Sequence, residues 1–102
     1  MIKLYLSKKH KEIVDKILKG EKDILVFGSR MKGGYTNLSD LDLCIKKKEA
    51  ASIKKIALLK ADFEDSSLPF TVDLIDYYRV DKNFQHIIDT TAIDWQKVTA
   101  SL

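Results

Sequence analysis

A Gly28-Ser29 pair closes the apolar run Asp23-Ile24-Leu25-Val26-Phe27, and after nine intervening residues the chain reads Ser39-Asp40-Leu41-Asp42-Leu43. The first run is short, rich in branched residues and ended by glycine, which is the spelling of a buried strand. The second alternates apolar and polar positions, the period of a strand with one face on a core. Leu41, Leu43 and Ile45 then point inward, while Asp40, Asp42 and Cys44 share the opposite face. Two carboxylates therefore stand side by side near a small-residue turn. Such a pair repels itself unless a cation or solvent intervenes.

That arrangement points to chemistry on phosphate. Mg²⁺ is commonly held by a few carboxylates and completed by phosphate oxygens and water. A bare Asp-x-Asp more often marks a solvated strand; the Gly-Ser turn upstream turns the reading toward a site. At Gly28-Ser29 no bulky side chain blocks the main-chain amides from phosphate, and Ser29 adds a hydroxyl donor. Arg30 and Lys32 are natural counter-charges for the outer phosphates, or else solvated surface cations. The loop is not the G-x-x-x-x-G-K-[ST] phosphate loop, and neither a kinase set nor G-x-G-x-x-G is present.

A third strand is expected over Phe70 to Ile75, after the turn Asp65-Ser66-Ser67-Leu68-Pro69. Val72 and Leu74 take one face, so Asp73 takes the other. A charge inside an apolar strand is costly unless paired or metal-bound. If this strand lies beside the second, Asp73 completes a triad with Asp40 and Asp42. The triad can hold two metal ions about 3.5–4 Å apart, with Asp73 helping to deprotonate an attacking hydroxyl. Asp76 is expected to end the strand facing water.

Elsewhere the pattern is helical. Ser7 caps a helix to about Lys19, with Gly20 just past its end and Ile13, Val14, Ile17 and Leu18 on one face. A second helix spans Lys48 to about Glu64 through Ile53, Ile56, Leu59 and Phe63. A third, capped by Asp81, runs through Thr90 with Phe84, Ile87 and Ile88 inward. The ending around Ile93 and Trp95 reads as irregular or as a short strand. This α-β-α-β-α-β-α order predicts one α/β (α+β) domain over residues 1–102, a small mixed β-sheet backed by helices.

The 102 residues carry a net charge of +3, with 45% apolar and 32% charged residues. Residues 1–60 are basic and residues 61–102 acidic, which suits a polyanion such as ATP, although most of the lysines read as solvated helix faces. One cysteine, Cys44, excludes an internal disulfide and a thiolate zinc cluster; it reads as a packed thiol. His10 and His86 form no ligand pattern. Tyr77, Tyr78 and Trp95 read as aromatic core or rim. No apolar run has membrane-spanning length and no secretory signal is legible, so the expected location is the cytoplasm.

The stretch Gly28-Ser29-Arg30-Met31-Lys32-Gly33-Gly34, then Ser39-Asp40-Leu41-Asp42-Leu43, then Thr71-Val72-Asp73-Leu74 resembles the minimal nucleotidyltransferases of the DNA polymerase β superfamily. Met31, Lys32 and Thr36 depart from residues frequent there, and all three acids are kept. The resemblance implies Asp40, Asp42 and Asp73 as ligands of Mg²⁺, two ions in all. It implies Gly28 and Ser29 as the triphosphate clamp, with Arg30, Lys32 and Ser39 in the nucleotide-binding set. The implied reaction moves AMP from ATP to a hydroxyl and releases pyrophosphate.

Only 26 residues follow Asp76, too few for a separate acceptor domain, so the acceptor is expected on another polypeptide. The resemblance implies a helical HEPN-domain toxin adenylylated on a tyrosine, with this chain as antitoxin in a hetero-oligomer. No membrane and no direct nucleic-acid binding are expected. The alternatives are transfer to a small molecule such as an aminoglycoside, and a non-catalytic antitoxin that neutralises its partner by binding.

Overall fold

The computed structural model describes residues 2–19 and 21–102; Gly20, expected just past the first helix, lies outside the described residues. Four strands form the central sheet in the order β4-β3-β2-β5: β2 is Ile24–Phe27, β3 Leu41–Ile45, β4 Val72–Asp76 and β5 Ile93–Asp94. Strand β3 runs antiparallel to β2 and parallel to β4, so the sheet is mixed as expected. The parallel pair needs a crossover, and α3 (Ile53–Glu64) supplies it.

The strand alternation separates two faces. On the first, Ile24, Val26, Leu41, Leu43, Ile45 and Leu74 pack with Val14 from α1 (Lys8–Ile17), Leu18 at its C-terminal cap, and Leu59 and Phe63 from α3. On the second, Phe27 and Cys44 pack with Ile88 from α4 (Lys82–Thr91). Each of these three helices starts at a side-chain cap. Ser7 accepts from the His10 amide, Ser52 from Lys55 and Asp81 from Phe84.

Several expectations need correction. A strand, β1 (Ile2–Leu4), precedes the first helix and pairs in parallel with β6 (Val98–Ala100), forming a second, two-stranded sheet. Helix α3 begins at Ile53 rather than Lys48, because Ser52 is its cap. Ile53, at that first position, is 73% exposed instead of packed. Phe84 and Ile87 of α4 are also largely outside the core, leaving Ile88 as its buried residue. Trp95, by contrast, is core as expected, its Nε1 donating to Asp15 Oδ1 at 2.7 Å.

Asp76 does not face water. It is buried, and its carboxylate accepts from the Ala51 amide at 2.7 Å, the Tyr78 amide at 2.9 Å and Arg79 Nη1 at 3.0 Å. That carboxylate ties the end of β4 to the segment entering α3. Among the described residues no helix is long and apolar enough to cross a membrane.

Candidate active site

Register decides the site. In the parallel β3–β4 pair Asp42 stands directly opposite Asp73, and in the antiparallel β2–β3 pair Phe27 stands opposite Asp42. Neighbouring strands are about 4.8 Å apart, so Asp42 and Asp73 are immediate neighbours on one face. Asp40 enters the same strand one residue before β3 begins. Helix α4 covers the middle of this face and leaves its acidic end open. Asp40 and Asp73 are exposed, and Asp42 is half-buried.

Among the described residues, none of the three carboxylates has a hydrogen-bond or ion-pair partner in the protein, although Asp76, on the same strand as Asp73, has three. Burial, then the charges of Asp73 and Asp40, push the Asp42 carboxyl up to about 6. This is the behaviour of an acidic cluster whose counter-charge is not supplied by the chain. No three Asp, Glu, His or Cys side chains are already gathered at ligand spacing among the described residues. The carboxylates thus fit Mg²⁺ as part of a coordination sphere completed by phosphate and water, not as a closed cage.

Gly28 makes this end of the sheet possible. Its φ is +87°, and a Cβ placed on it would lie 2.1 Å from Asp42 Oδ2. Both the left-handed backbone and the close approach of the carboxylate demand glycine. The single helical turn α2, Ser29–Lys32, follows and is ended by Gly33 at φ +90°. Ser29 Oγ has no hydrogen-bond partner among the described residues, and Lys32 is exposed without an ion pair there.

Arg30 takes a different place from the one expected. It is buried, and its guanidinium donates to the main-chain oxygens of Tyr5 at 2.9 Å, Ser39 at 3.0 Å and Asn37 at 3.2 Å. It also lies over the Phe70 ring, 4.2 Å from the centroid. Burial lowers its pKa, yet a guanidinium stays charged. Arg30 is the clasp that holds the loop before Asp40, not a free phosphate ligand. Ser39 belongs to the same clasp: its carbonyl takes the Arg30 bond, and its Oγ accepts from the Thr36 amide at 2.7 Å. Tyr5 stacks on Tyr35 beside it, ring centroids 5.1 Å apart.

Cys44 projects to the acidic face but is sealed under α4 with Phe27 and Ile88. Burial, with the Asp76 charge behind it, raises its thiol to about 11, so it is a packing group at neutral pH.

Comparisons with known proteins agree with this geometry. Residues 6–93 match the family model described as "Polymerase beta, Nucleotidyltransferase". A curated relative from Haemophilus influenzae (strain ATCC 51907 / DSM 11121 / KW20 / Rd), named "Probable protein adenylyltransferase MntA", is 40% identical over 65 residues, which is 64% of this chain and 57% of the relative. The matched region thus spans little more than half of that relative's length. A solved structure described as a toxin-antitoxin with AMP-PNP superposes with a TM-score of 0.64 at 21% identity, over 83% of this chain and 71% of that one. At that identity the likeness is one of fold. With a family match over most of its length and the family's acidic motif on two adjacent strands, the chain belongs to the polymerase beta nucleotidyltransferase family.

Proposed function

We propose that the protein transfers AMP from ATP to a hydroxyl group and acts as the antitoxin of a toxin-antitoxin pair. The observation that carries the chemistry is the register pair of half-buried Asp42 and exposed Asp73, unpartnered among the described residues and beside Gly28-Ser29. Asp40, Asp42 and Asp73 would hold Mg²⁺, whose chemistry is to neutralise the triphosphate and stabilise charge developing on the leaving oxygen.

The chain's own groups do the rest. Gly28 leaves the turn open for phosphate oxygens, and Ser29 donates its hydroxyl to them. Lys32 adds a mobile cation at the rim. Arg30 keeps Asn37 to Ser39 in place, so that Asp40 enters β3 in register. Asp73, on the edge strand, accepts the proton of the incoming hydroxyl. The freed oxygen attacks the α-phosphorus, the bond from that phosphorus to its bridging oxygen breaks, and pyrophosphate leaves.

For the acceptor we favour a tyrosine of a HEPN-domain toxin in the same cytoplasm, bound in a hetero-oligomer. Support comes from the protein-adenylyltransferase name of the curated relative and from the toxin-antitoxin assembly of the structural neighbour. The experiment mixes the protein, its toxin partner, Mg²⁺ and [α-³²P]ATP. Label on a partner tyrosine is expected. Label only on an added aminoglycoside, or neutralisation of the toxin by an Asp40→Asn, Asp42→Asn double variant, overturns this reading in favour of small-molecule transfer or of binding alone.

A further inference from the structure

Helix α4 leaves apolar surface beside the acidic end of the sheet. Phe84 is 36% exposed and Ile87 48% exposed, and their three-residue spacing puts them on one strip of the helix. The strip joins the acidic row directly. The Phe84 ring meets the Phe27 ring edge-on at 5.8 Å between centroids, and Phe27 is the cross-strand partner of Asp42. Side chains directly opposite across an antiparallel pair share a face and touch. Asp73, Asp42, Phe27 and Phe84 therefore follow one another as a continuous line from acid to aromatic.

From Asp42 two directions are available to a bound nucleotide. One leads past the end of β2 to Gly28-Ser29 and is polar. The other leads over the sheet toward α4 and ends on an exposed aromatic ring. A triphosphate suits the first, and a flat aromatic heterocycle suits the second.

We propose that Phe84, backed by Phe27 and extended by Ile87, is the platform on which the base of the nucleotide stacks. The proposal rests on the reading that the triphosphate sits at Asp40, Asp42 and Gly28-Ser29. Phe84 acts on binding and orientation of the nucleotide, and takes no part in the proton or phosphoryl transfer. Stacking uses the face of a ring rather than its hydrogen-bonding edge, so the platform favours purines over pyrimidines by ring area and discriminates weakly between adenine and guanine.

Calorimetric titration with Mg²⁺-ATP and with Mg²⁺-tripolyphosphate, which lacks base and ribose, tests this. Phe84→Ala is expected to weaken ATP binding about tenfold, the scale of one base–aromatic stack, while tripolyphosphate binding stays unchanged and Phe84→Trp restores the loss. Unchanged ATP affinity in Phe84→Ala overturns the platform. So does an equal loss for both ligands, which marks a general disturbance of the fold. Wild-type protein that binds neither ligand overturns the nucleotide site itself, a result distinct from the other two.

Discussion

Strand β4 carries an aspartate near each end, and the two are treated in opposite ways. Asp76 is buried and takes three hydrogen bonds from the Ala51 and Tyr78 amides and Arg79. Asp73 is exposed and receives none among the described residues, while lying against Asp42 across the strand pair. The same chemical group is structural where the chain supplies its donors, and available where it does not. A buried carboxylate without donors would cost several kcal/mol, so Asp76 can stay only because it is satisfied. An acidic cluster without donors from the chain, at an open edge, is free to take a counter-charge from outside it.

The contrast is sharpest in stability measurements. Asp76→Ala leaves the buried Ala51 amide and the Tyr78 amide without their acceptor and removes the Arg79 ion pair, and is expected to cost about 3 kcal/mol, which for a domain of this size lowers Tm by more than 10 °C. A smaller change would mean that the Asp76 bonds are replaceable by water. Gly28→Ala comes next. Its Cβ collides with Asp42 Oδ2 and its backbone must hold a left-handed φ, so denaturant titration should show a loss of about 2 kcal/mol.

Asp42→Asn should act in the other direction. The raised carboxyl of Asp42 means that the folded protein keeps a proton that the unfolded chain releases near pH 4. Stability is therefore lost as pH rises from about 4 to about 6, and the amide removes that loss. The variant should match wild type below pH 4 and exceed it above pH 6 by about 1 kcal/mol, after discounting for solvent screening. A stability gain that persists at pH 3 would contradict the ionised, half-buried carboxylate as its cause. Asp73→Asn has the smallest expected effect on folding, within about 0.5 kcal/mol at an exposed site. Transfer of label should nevertheless be lost, and retained turnover would remove Asp73 from the reaction.

The acidic site was readable because its parts are local. The Asp40-x-Asp42 alternation and the lone Asp73 identify their faces without reference to distant chain, and register then only has to align two strands. What the letters did not reveal depends on main-chain partners far along the chain. Arg30 beside a Gly-Ser turn looks like a phosphate ligand; its actual partners are carbonyls of Tyr5, Asn37 and Ser39, which leave no mark in the spelling of side chains. Asp76 is bound by an amide 25 residues away. Strand β1 is three residues long and finds its partner at the opposite end of the chain, beyond any window of periodicity. Ile53 fits a helical apolar pattern, but Ser52 caps the helix just before it, at a turn that has not yet reached the sheet.

The central claim is that Asp40, Asp42 and Asp73 are left unpaired in order to hold a divalent cation with a nucleoside triphosphate. Titrating ATP into the protein with and without Mg²⁺, and into the Asp40→Asn, Asp42→Asn double variant, measures this most directly. Binding that requires Mg²⁺ and disappears in the folded variant is the predicted result. Equal ATP affinity in all three titrations would contradict it.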